Sequence, residues 1–168
     1  MNNNLDNVYI VLVEPRNAGN IGSTVRAMKN MGISHLRLVN PVTYREDDQQ
    51  KKLGYRSQDI IEGSEEFDSL KEALADISQV FIATSKKGKW KKDFLVPKDA
   101  ASRIVERIHV EKVAVVFGRE DSGVTIEEAL LANYYINIPS AVSYPSLNLS
   151  QAVMVTVYDI YQAYIGHD

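Results

Sequence analysis

Runs of apolar residues alternate with helical patterns along the whole chain, and this alternation limits the fold more than any other feature. The apolar runs are predicted strands, at residues 8–13, 35–39, 80–83, 113–117 and 134–138. The helical patterns follow them, from Ile21 to the residue before Gly32 and then at residues 68–75, 99–108, 126–131 and 148–165. No element is predicted in the polar stretch that runs from Pro41 to about Ser64. The pattern predicts an α/β domain with a mostly parallel sheet and helices on both faces.

Length and composition predict a single domain over residues 1–168, without a separate RNA-binding domain, because no linker or repeat interrupts the pattern. The chain has no Cys, which excludes thiolate nucleophiles, Cys-ligated zinc and iron–sulfur clusters. Its three His, at positions 35, 109 and 167, have no metal-ligand spacing, so no metal is expected. The polar N-terminus lacks the features of a signal peptide and no apolar run is long enough for a bilayer, so we expect a cytoplasmic protein without a membrane partner.

The last predicted helix is apolar on more than one face. Its apolar residues include Val153, Val155, Val157, Ile160 and Tyr161. A helix with one buried side shows a narrower stripe. The pattern is typical of a central core helix, or of a helix that packs on the sheet and also on a second copy of the protein, and we expect a homodimer.

Residues 17–26 lead from the first strand into the first helix. Gly19, Gly22 and Ser23 form a stripe of small side chains beside Arg26. This stripe admits a bulky partner, or else the glycines only let the helix pack closely while Arg26 is a solvated charge. The spacing is not that of the dinucleotide-binding G-x-G-x-x-G fingerprint.

Residues 116–123 follow the end of an apolar strand. Ligands of open α/β sheets bind at the carboxyl ends of strands, so Gly118 and Glu120 are candidates for contact with a cofactor or substrate. An ordinary polar turn with two glycines is the alternative.

Residues 138–150 contain Ile138 and Pro139, and then Pro145 shortly before the last helix. Ser146 or Asn148 is suited to capping that helix, which requires no further function. The two prolines stiffen the loop, and the same two side chains offer donors and acceptors to a small polar ligand.

Residues 86–92 place five lysines around Trp90. Basic residues interleaved with an aromatic ring bind phosphates and stack on an unpaired base. The net charge of −3 argues against a general nucleic-acid coat protein, but a local basic loop of this kind is compatible with RNA binding. A solvated loop is the alternative.

In this order the segments resemble the SpoU (TrmH-like) family of the SPOUT RNA methyltransferases, and most of all its TrmJ-like tRNA ribose methyltransferases. The likeness covers nearly the whole chain. One family motif, an Asn followed six residues later by an Arg, matches Asn20 and Arg26; F-G-x-E-x-x-G matches residues 117–123; and S-[LM]-N-[LV]-[SA], after an Ile-Pro pair, matches residues 146–150. Each motif is weak alone, and three in order are specific.

The resemblance implies a C-terminal trefoil knot that holds S-adenosylmethionine in a bent conformation, and a homodimer packed through the first and last helices. The implied cofactor contacts are Thr84, Gly118, Arg119, Glu120, Ile138, Ser146 and Leu147. The implied catalytic residues are Asn20, Arg26, Glu120, Ser146 and Asn148. The implied RNA contacts are Arg26 and the basic loop, namely Lys86, Lys87, Lys89, Trp90 and Lys91.

The implied reaction is 2′-O-methylation of a ribose in tRNA or rRNA. The cofactor's sulfonium already activates the methyl group, so no covalent enzyme intermediate is needed, whereas the usual pyrimidine C5 methylation needs a Cys nucleophile. Arg26 either assists deprotonation of the hydroxyl or, because a guanidinium normally stays protonated, clamps a phosphate and stabilises the developing alkoxide. TrmJ-like proteins commonly carry a C-terminal extension beyond the position of Asp168, which leaves tRNA and rRNA both open. A binding module with little catalysis, and a flavodoxin-like nucleotide-binding protein, are the competing hypotheses.

Overall fold

A computed structural model describes residues 4–85, 94–141 and 147–166. Within them, seven parallel strands form one sheet in the order β3-β2-β1-β6-β4-β7-β5. The strands are β1 (Val8–Val13), β2 (His35–Val39), β3 (Glu65–Phe67), β4 (Gln79–Ala83), β5 (Phe94–Leu95), β6 (Val113–Phe117) and β7 (Tyr134–Ile136). Every residue of the adjacent strands β1 and β6 is buried, which explains why both are continuous apolar runs.

Helices cover both faces of the sheet, as predicted. They are α1 (Ala18–Asn30), α2 (Asp48–Leu53), α3 (Gln58–Glu62), α4 (Leu70–Ala73), α5 (Pro97–Arg107), α6 (Ile126–Ala129) and α7 (Leu149–Ile165). Side chains of α1, α3, α5 and α7 share one core with alternate strand residues such as Ile10 and Val115. The intervening strand residues, such as Val11 and Val116, pack with α4 and α6 on the other face.

The chain changes direction across the sheet between β1 and β6. From β1 the chain continues to β2 and β3 on one side, whereas β6 is followed by β7 on the other. Such a switch point opens a crevice at the carboxyl ends of the strands, where α/β proteins bind ligands.

Four of these helices and strands were not predicted, namely α2, α3, β3 and β5, and neither was a short 3-10 helix at Asn4–Asn7. The sequence of α2 is polar, DQQKKL, and its N-terminus is capped by the Asp47 side chain, which accepts from the backbone N–H of Gln50. The predicted strand at 134–138 ends at Ile136, so Ile138 lies in the loop that follows β7. Short edge elements of this kind are determined by pairing with neighbours more than by their own pattern.

The stripe of small residues on α1 receives α2. A Cβ on Gly22 would clash with the backbone carbonyl of Gln50, and a Cβ on Gly19 would lie 3.1 Å from the Leu53 side chain. The partner that the glycines admit in this structure is therefore a helix of the same chain.

No helix in the described part of the chain is long and apolar enough to cross a membrane. Residues 4–85, 94–141 and 147–166 also contain no group of three or more His, Asp or Glu arranged to hold a metal ion.

Candidate active site

Four strands end level with one another at the switch point. Leu12 of β1 pairs with Phe117 of β6, Phe117 with Ala83 of β4, and Ala83 with Ile136 of β7. The loops that follow these strands therefore leave the same edge of the sheet side by side. This register brings together segments that are far apart in sequence, including three of the four predicted to carry chemistry.

A cavity of about 630 Å³ opens among these loops and the first turn of α7. It is lined by Asn20, residues 83–85, residues 117–123, residues 136–140, residues 147–149 and Ala152. Of the predicted site residues in the described ranges, Asn20, Thr84, Gly118, Arg119, Glu120, Ile138, Leu147 and Asn148 all line it. Arg26 does not.

The loop after β6 folds into a tight hairpin. The backbone N–H of Arg119 donates to the carbonyl of Gly123 at 3.0 Å, and the N–H of Gly123 donates back to the carbonyl of Arg119 at 2.9 Å. A Cβ on Gly118 would lie 2.7 Å from that same Gly123 carbonyl oxygen, and Gly123 has a φ of +69°. Both glycines of the F-G-x-E-x-x-G motif are therefore required by the backbone of this hairpin.

The Arg119 side chain is anchored by acidic residues. Its guanidinium donates to both carboxylate oxygens of Glu128, at 2.8 and 3.0 Å, and to Glu14 at 2.7 Å, and it is 13% exposed. These two carboxylates raise the pKa of Arg119. Burial alone would raise the pKa of Glu128, but hydrogen bonds from Arg119 and from the Thr125 backbone hold it below its ordinary value. The geometry indicates that the Arg119 side chain holds the hairpin in place, since it also donates to the carbonyl of Gly123 at 3.1 Å.

Glu120 joins the first predicted motif to the second. Its carboxylate accepts from the backbone N–H of Arg16 at 3.0 Å and from the Asn20 side-chain amide at 3.2 Å. The Arg16 guanidinium in turn donates to Asp121 at 2.8 Å. Sequence reasoning missed Arg16 and Asp121. The bond to Glu120 fixes the orientation of the Asn20 side-chain amide. The side-chain carbonyl oxygen of Asn20 can then accept a hydrogen bond from a ligand.

A third residue missed by sequence reasoning is Asn137, directly after β7. It is buried, and its side-chain amide donates to the carbonyl of Thr84 at 3.3 Å, which ties the loop after β4 to the loop after β7. The Thr84 backbone N–H also donates to the carbonyl of Ile136 at 2.9 Å. A polar residue directly after a buried strand was the signal that could have identified it.

Asn148 is the N-cap of α7. Its side-chain oxygen accepts from the backbone N–H and from the hydroxyl of Ser150, at 2.9 and 2.8 Å. The predicted capping function therefore applies to Asn148, while the same residue also lines the cavity. Ser146 lies outside the described residues, as does the predicted RNA-binding loop, comprising Lys86, Lys87, Lys89, Trp90 and Lys91.

Arg26 is exposed on α1, six residues after Asn20, and it lines a separate, smaller cleft. Six residues correspond to about 9 Å along a helix axis and to about 120° around it. Within one chain, the structure therefore brings together Asn20, Glu120 and Asn148 but not Arg26.

Comparison with known proteins shows the family of this chain. Residues 7–158 match the model of the SpoU rRNA Methylase family. The chain belongs to this family. It is 38% identical to a tRNA (cytidine/uridine-2′-O-)-methyltransferase TrmJ of Photorhabdus laumondii over 96% of its own length and 67% of that protein. It spans 62% to 67% of the length of the first curated relatives that it matches.

Solved structures show the same fold. A probable methylase family protein of Haemophilus influenzae superposes with a TM-score of 0.90 at 37% identity, over 96% of this chain and 68% of that one. The SpoU methyltransferase AviRb of Streptomyces viridochromogenes, solved in complex with AdoMet, superposes with a TM-score of 0.74 at 19% identity, over 96% of this chain and 62% of that one.

Proposed function

We propose that this protein is an S-adenosylmethionine-dependent RNA methyltransferase that methylates a ribose 2′-hydroxyl of tRNA or rRNA. The observation that carries the proposal is the cavity at the switch point, where Asn20, Glu120 and Asn148 meet from three distant segments that match the family's motifs. The curated relatives named TrmJ support the ribose hydroxyl as acceptor and tRNA as the favoured substrate.

The cavity fits S-adenosylmethionine in size and in chemistry. Its volume of about 630 Å³ is within the usual range for small-ligand pockets, about 300–1,000 Å³. Apolar side chains of Ile136, Ile138 and Leu149 line it and suit an adenine ring, while Thr84 and Glu120 supply polar groups. The close approach of Gly118 to Gly123 leaves no room for a side chain at the floor of the hairpin. We propose that Thr84, Gly118, Arg119, Glu120, Ile138, Ser146 and Leu147 hold the cofactor, Arg119 through its backbone.

When bound, S-adenosylmethionine supplies a methyl group that its sulfonium has already activated. The chain itself must place the ribose hydroxyl in line with that methyl group and stabilise the oxygen as it loses its proton. Asn20, held by Glu120, is suited to accept a hydrogen bond from the hydroxyl through its carbonyl oxygen. Asn148 and Ser146 are proposed to position the ribose beside the cofactor.

The role proposed for Arg26 depends on the oligomeric state. Val155 and Tyr158 are exposed on α7, on the side opposite the residues that pack into the core. We propose that α7 and α1 pack against a second copy of the chain, so that Arg26 of one copy serves the cavity of the other, either as a base or as an electrostatic clamp. A single domain over residues 1–168, a C-terminal trefoil knot and a cytoplasmic location complete the proposal.

Transfer of labelled methyl groups from S-adenosylmethionine to bulk tRNA and rRNA tests the activity. The wild type is expected to label one of these pools, and Asn20→Ala and Arg26→Ala to lose at least tenfold in rate. Resistance of the product to alkaline hydrolysis at one linkage identifies the 2′-O position. Cofactor binding without incorporation into either pool would instead favour a binding module, a function that the separation of Arg26 from the cavity also fits.

Mixing two inactive variants tests whether Arg26 acts on the partner's cavity. A dimer of one Arg26→Ala chain and one Asn20→Ala chain has one intact composite site if Arg26 acts across the interface. Denaturing and refolding the two variants together is then expected to restore up to about a quarter of the wild-type activity, since half of the random dimers are mixed and each has one of two sites intact. If the mixture stays as inactive as its components, Arg26 does not act in this way.

A further inference from the structure

A cleft of about 290 Å³ lies beside the second half of α1. We call it the basic cleft. It is lined by Arg26, Lys29 and Asn30 of α1, and by Tyr55, Arg56 and Ser57 of the turn between α2 and α3.

The basic cleft is a local concentration of positive charge on a protein with a net charge of −3. Three of its lining residues are cationic and none is a carboxylate. Lys29 forms an ion pair with Asp59 at 2.8 Å. Within residues 4–85, 94–141 and 147–166, neither Arg26 nor Arg56 has a carboxylate partner. Two guanidinium groups are therefore available to an anion from outside the chain.

The backbone at Arg56 is unusual. Its φ of +61° lies in the left-handed region, which is sterically unfavourable for a residue with a Cβ and ordinary for glycine. Arg56 thus occupies a position whose backbone conformation favours glycine. Conformations of this kind cluster at binding sites, where the surrounding structure holds them.

Two side-chain amides, one of them fully buried, hold this turn. Gln50 is completely buried, and its side-chain nitrogen donates to the carbonyl of Tyr44 at 3.0 Å. The Gln58 side-chain nitrogen donates to the Gln50 side-chain oxygen at 2.8 Å and to the carbonyl of Gly54 at 2.9 Å. The turn is therefore fixed before any ligand arrives, which reduces the entropic cost of binding.

Tyr55 adds an aromatic surface to the basic cleft. It is 57% exposed, and the Arg56 guanidinium lies 5.4 Å from the centre of its ring. Guanidinium groups bind phosphate oxygens in a bidentate manner, and exposed aromatic rings stack on unpaired bases. From this combination we infer that Tyr55 and Arg56 form an RNA-binding subsite, in which Arg56 contacts a backbone phosphate and Tyr55 stacks on an unpaired base.

This subsite takes a nucleotide other than the one that is methylated. Tyr55 and Arg56 line the basic cleft and not the large cavity that Asn20 lines, and neither is among the residues proposed to act on the methylated ribose. The inference rests on the proposed function only in taking RNA as the ligand. It predicts that Tyr55 and Arg56 contribute to substrate affinity and leave the methyl-transfer step unchanged.

Two substitutions test the subsite: Arg56→Gly and Tyr55→Ala. Each is expected to weaken binding of unmodified total tRNA, or of a mixed-sequence single-stranded RNA, by about tenfold. Arg56→Gly is also expected to reduce the salt dependence of binding by about one phosphate contact. Glycine adopts a positive φ without steric strain, so Arg56→Gly is expected to unfold at the same urea concentration as the wild type or at a higher one. In methyl transfer, KM for RNA rises while kcat is unchanged.

Controls separate this role from others. Arg103→Ala removes the same charge from an exposed arginine that also lies over a tyrosine ring, at 5.0 Å from Tyr134, and is expected to bind RNA as the wild type does. Loss of RNA affinity in both test variants, with unchanged cofactor affinity and self-association, supports the subsite. Unchanged RNA affinity overturns it, and so does a loss that accompanies a loss of self-association. Binding to vesicles of anionic phospholipid that depends on Tyr55 and Arg56, while RNA binding does not, also overturns it. Because the readout is direct binding, a wild type without methyl-transfer activity would refute the proposed function without deciding this inference.

Discussion

Replacing Arg119 separates its structural role from a role in cofactor binding. Arg119 makes a bidentate pair with Glu128, and the two side chains are 13% and 17% exposed. Exposed ion pairs contribute about 0.2–1 kcal/mol, whereas removing one partner of a buried pair costs about 3–5 kcal/mol. For this partly buried pair we expect Arg119→Ala to lower the free energy of unfolding by about 2–3 kcal/mol, which corresponds to about 4–12 °C in Tm.

A double-mutant cycle in urea isolates the pair. Arg119→Ala, Glu128→Ala and the double variant are expected to give a coupling energy of about 1.5 kcal/mol at pH 7. Glu128 also accepts from the Thr125 backbone N–H at 2.7 Å, but that loss is common to both Glu128 variants and cancels in the cycle. Because the pKa of Glu128 is lowered on folding, the coupling is fully present above its ordinary value of 4.5 and shrinks as pH falls through the folded value.

The same variants decide what Arg119 does for the cofactor. The hairpin also has its own backbone bonds between Arg119 and Gly123, so cofactor affinity in Arg119→Ala is expected to remain within about threefold of the wild type, about 0.7 kcal/mol. A coupling energy below about 0.5 kcal/mol at pH 7, or one that does not change with pH, would refute the electrostatic argument. A loss of cofactor affinity above tenfold in a variant that remains folded would show a direct contact by the side chain.

Four further variants test the packing, the cap and the interface. Gly22→Ala places a Cβ against the backbone of Gln50 and is expected to lower the free energy of unfolding in urea by about 1–3 kcal/mol. An unchanged free energy would contradict the tight α1–α2 contact. Asn148→Ala should lower the free energy of unfolding by about 1 kcal/mol because the cap is lost, whereas Asn148→Asp keeps the capping oxygen and should retain stability. If cofactor affinity falls equally in both variants, the fall indicates a ligand contact by the side-chain amide and not the loss of the cap. Tyr158→Asp on α7 should convert the proposed dimer to monomers in sedimentation velocity, and an unchanged mass would refute that interface.

Most of the strands could be predicted because burial on both faces leaves a continuous apolar run in the strand's own sequence. Every residue of β1 and β6 is buried, and a buried parallel strand must be apolar throughout. The helices α2 and α3 were missed because they are short and polar outside, and the buried contact they make depends on Gln50, whose amide is satisfied only by partners in the folded chain.

The sequence by itself determined the candidate site residues and their order, and the glycines of the hairpin and the cap of α7 among them follow from local backbone requirements. Only the tertiary structure decided which of them meet. Asn20 bonds to Glu120 across 100 residues because β1 and β6 are neighbours in the sheet, and no local pattern encodes that register. Arg119 turns to Glu14 and Glu128, and Arg26 faces another cleft, because the direction of a long side chain depends on the partners that the fold places beside it.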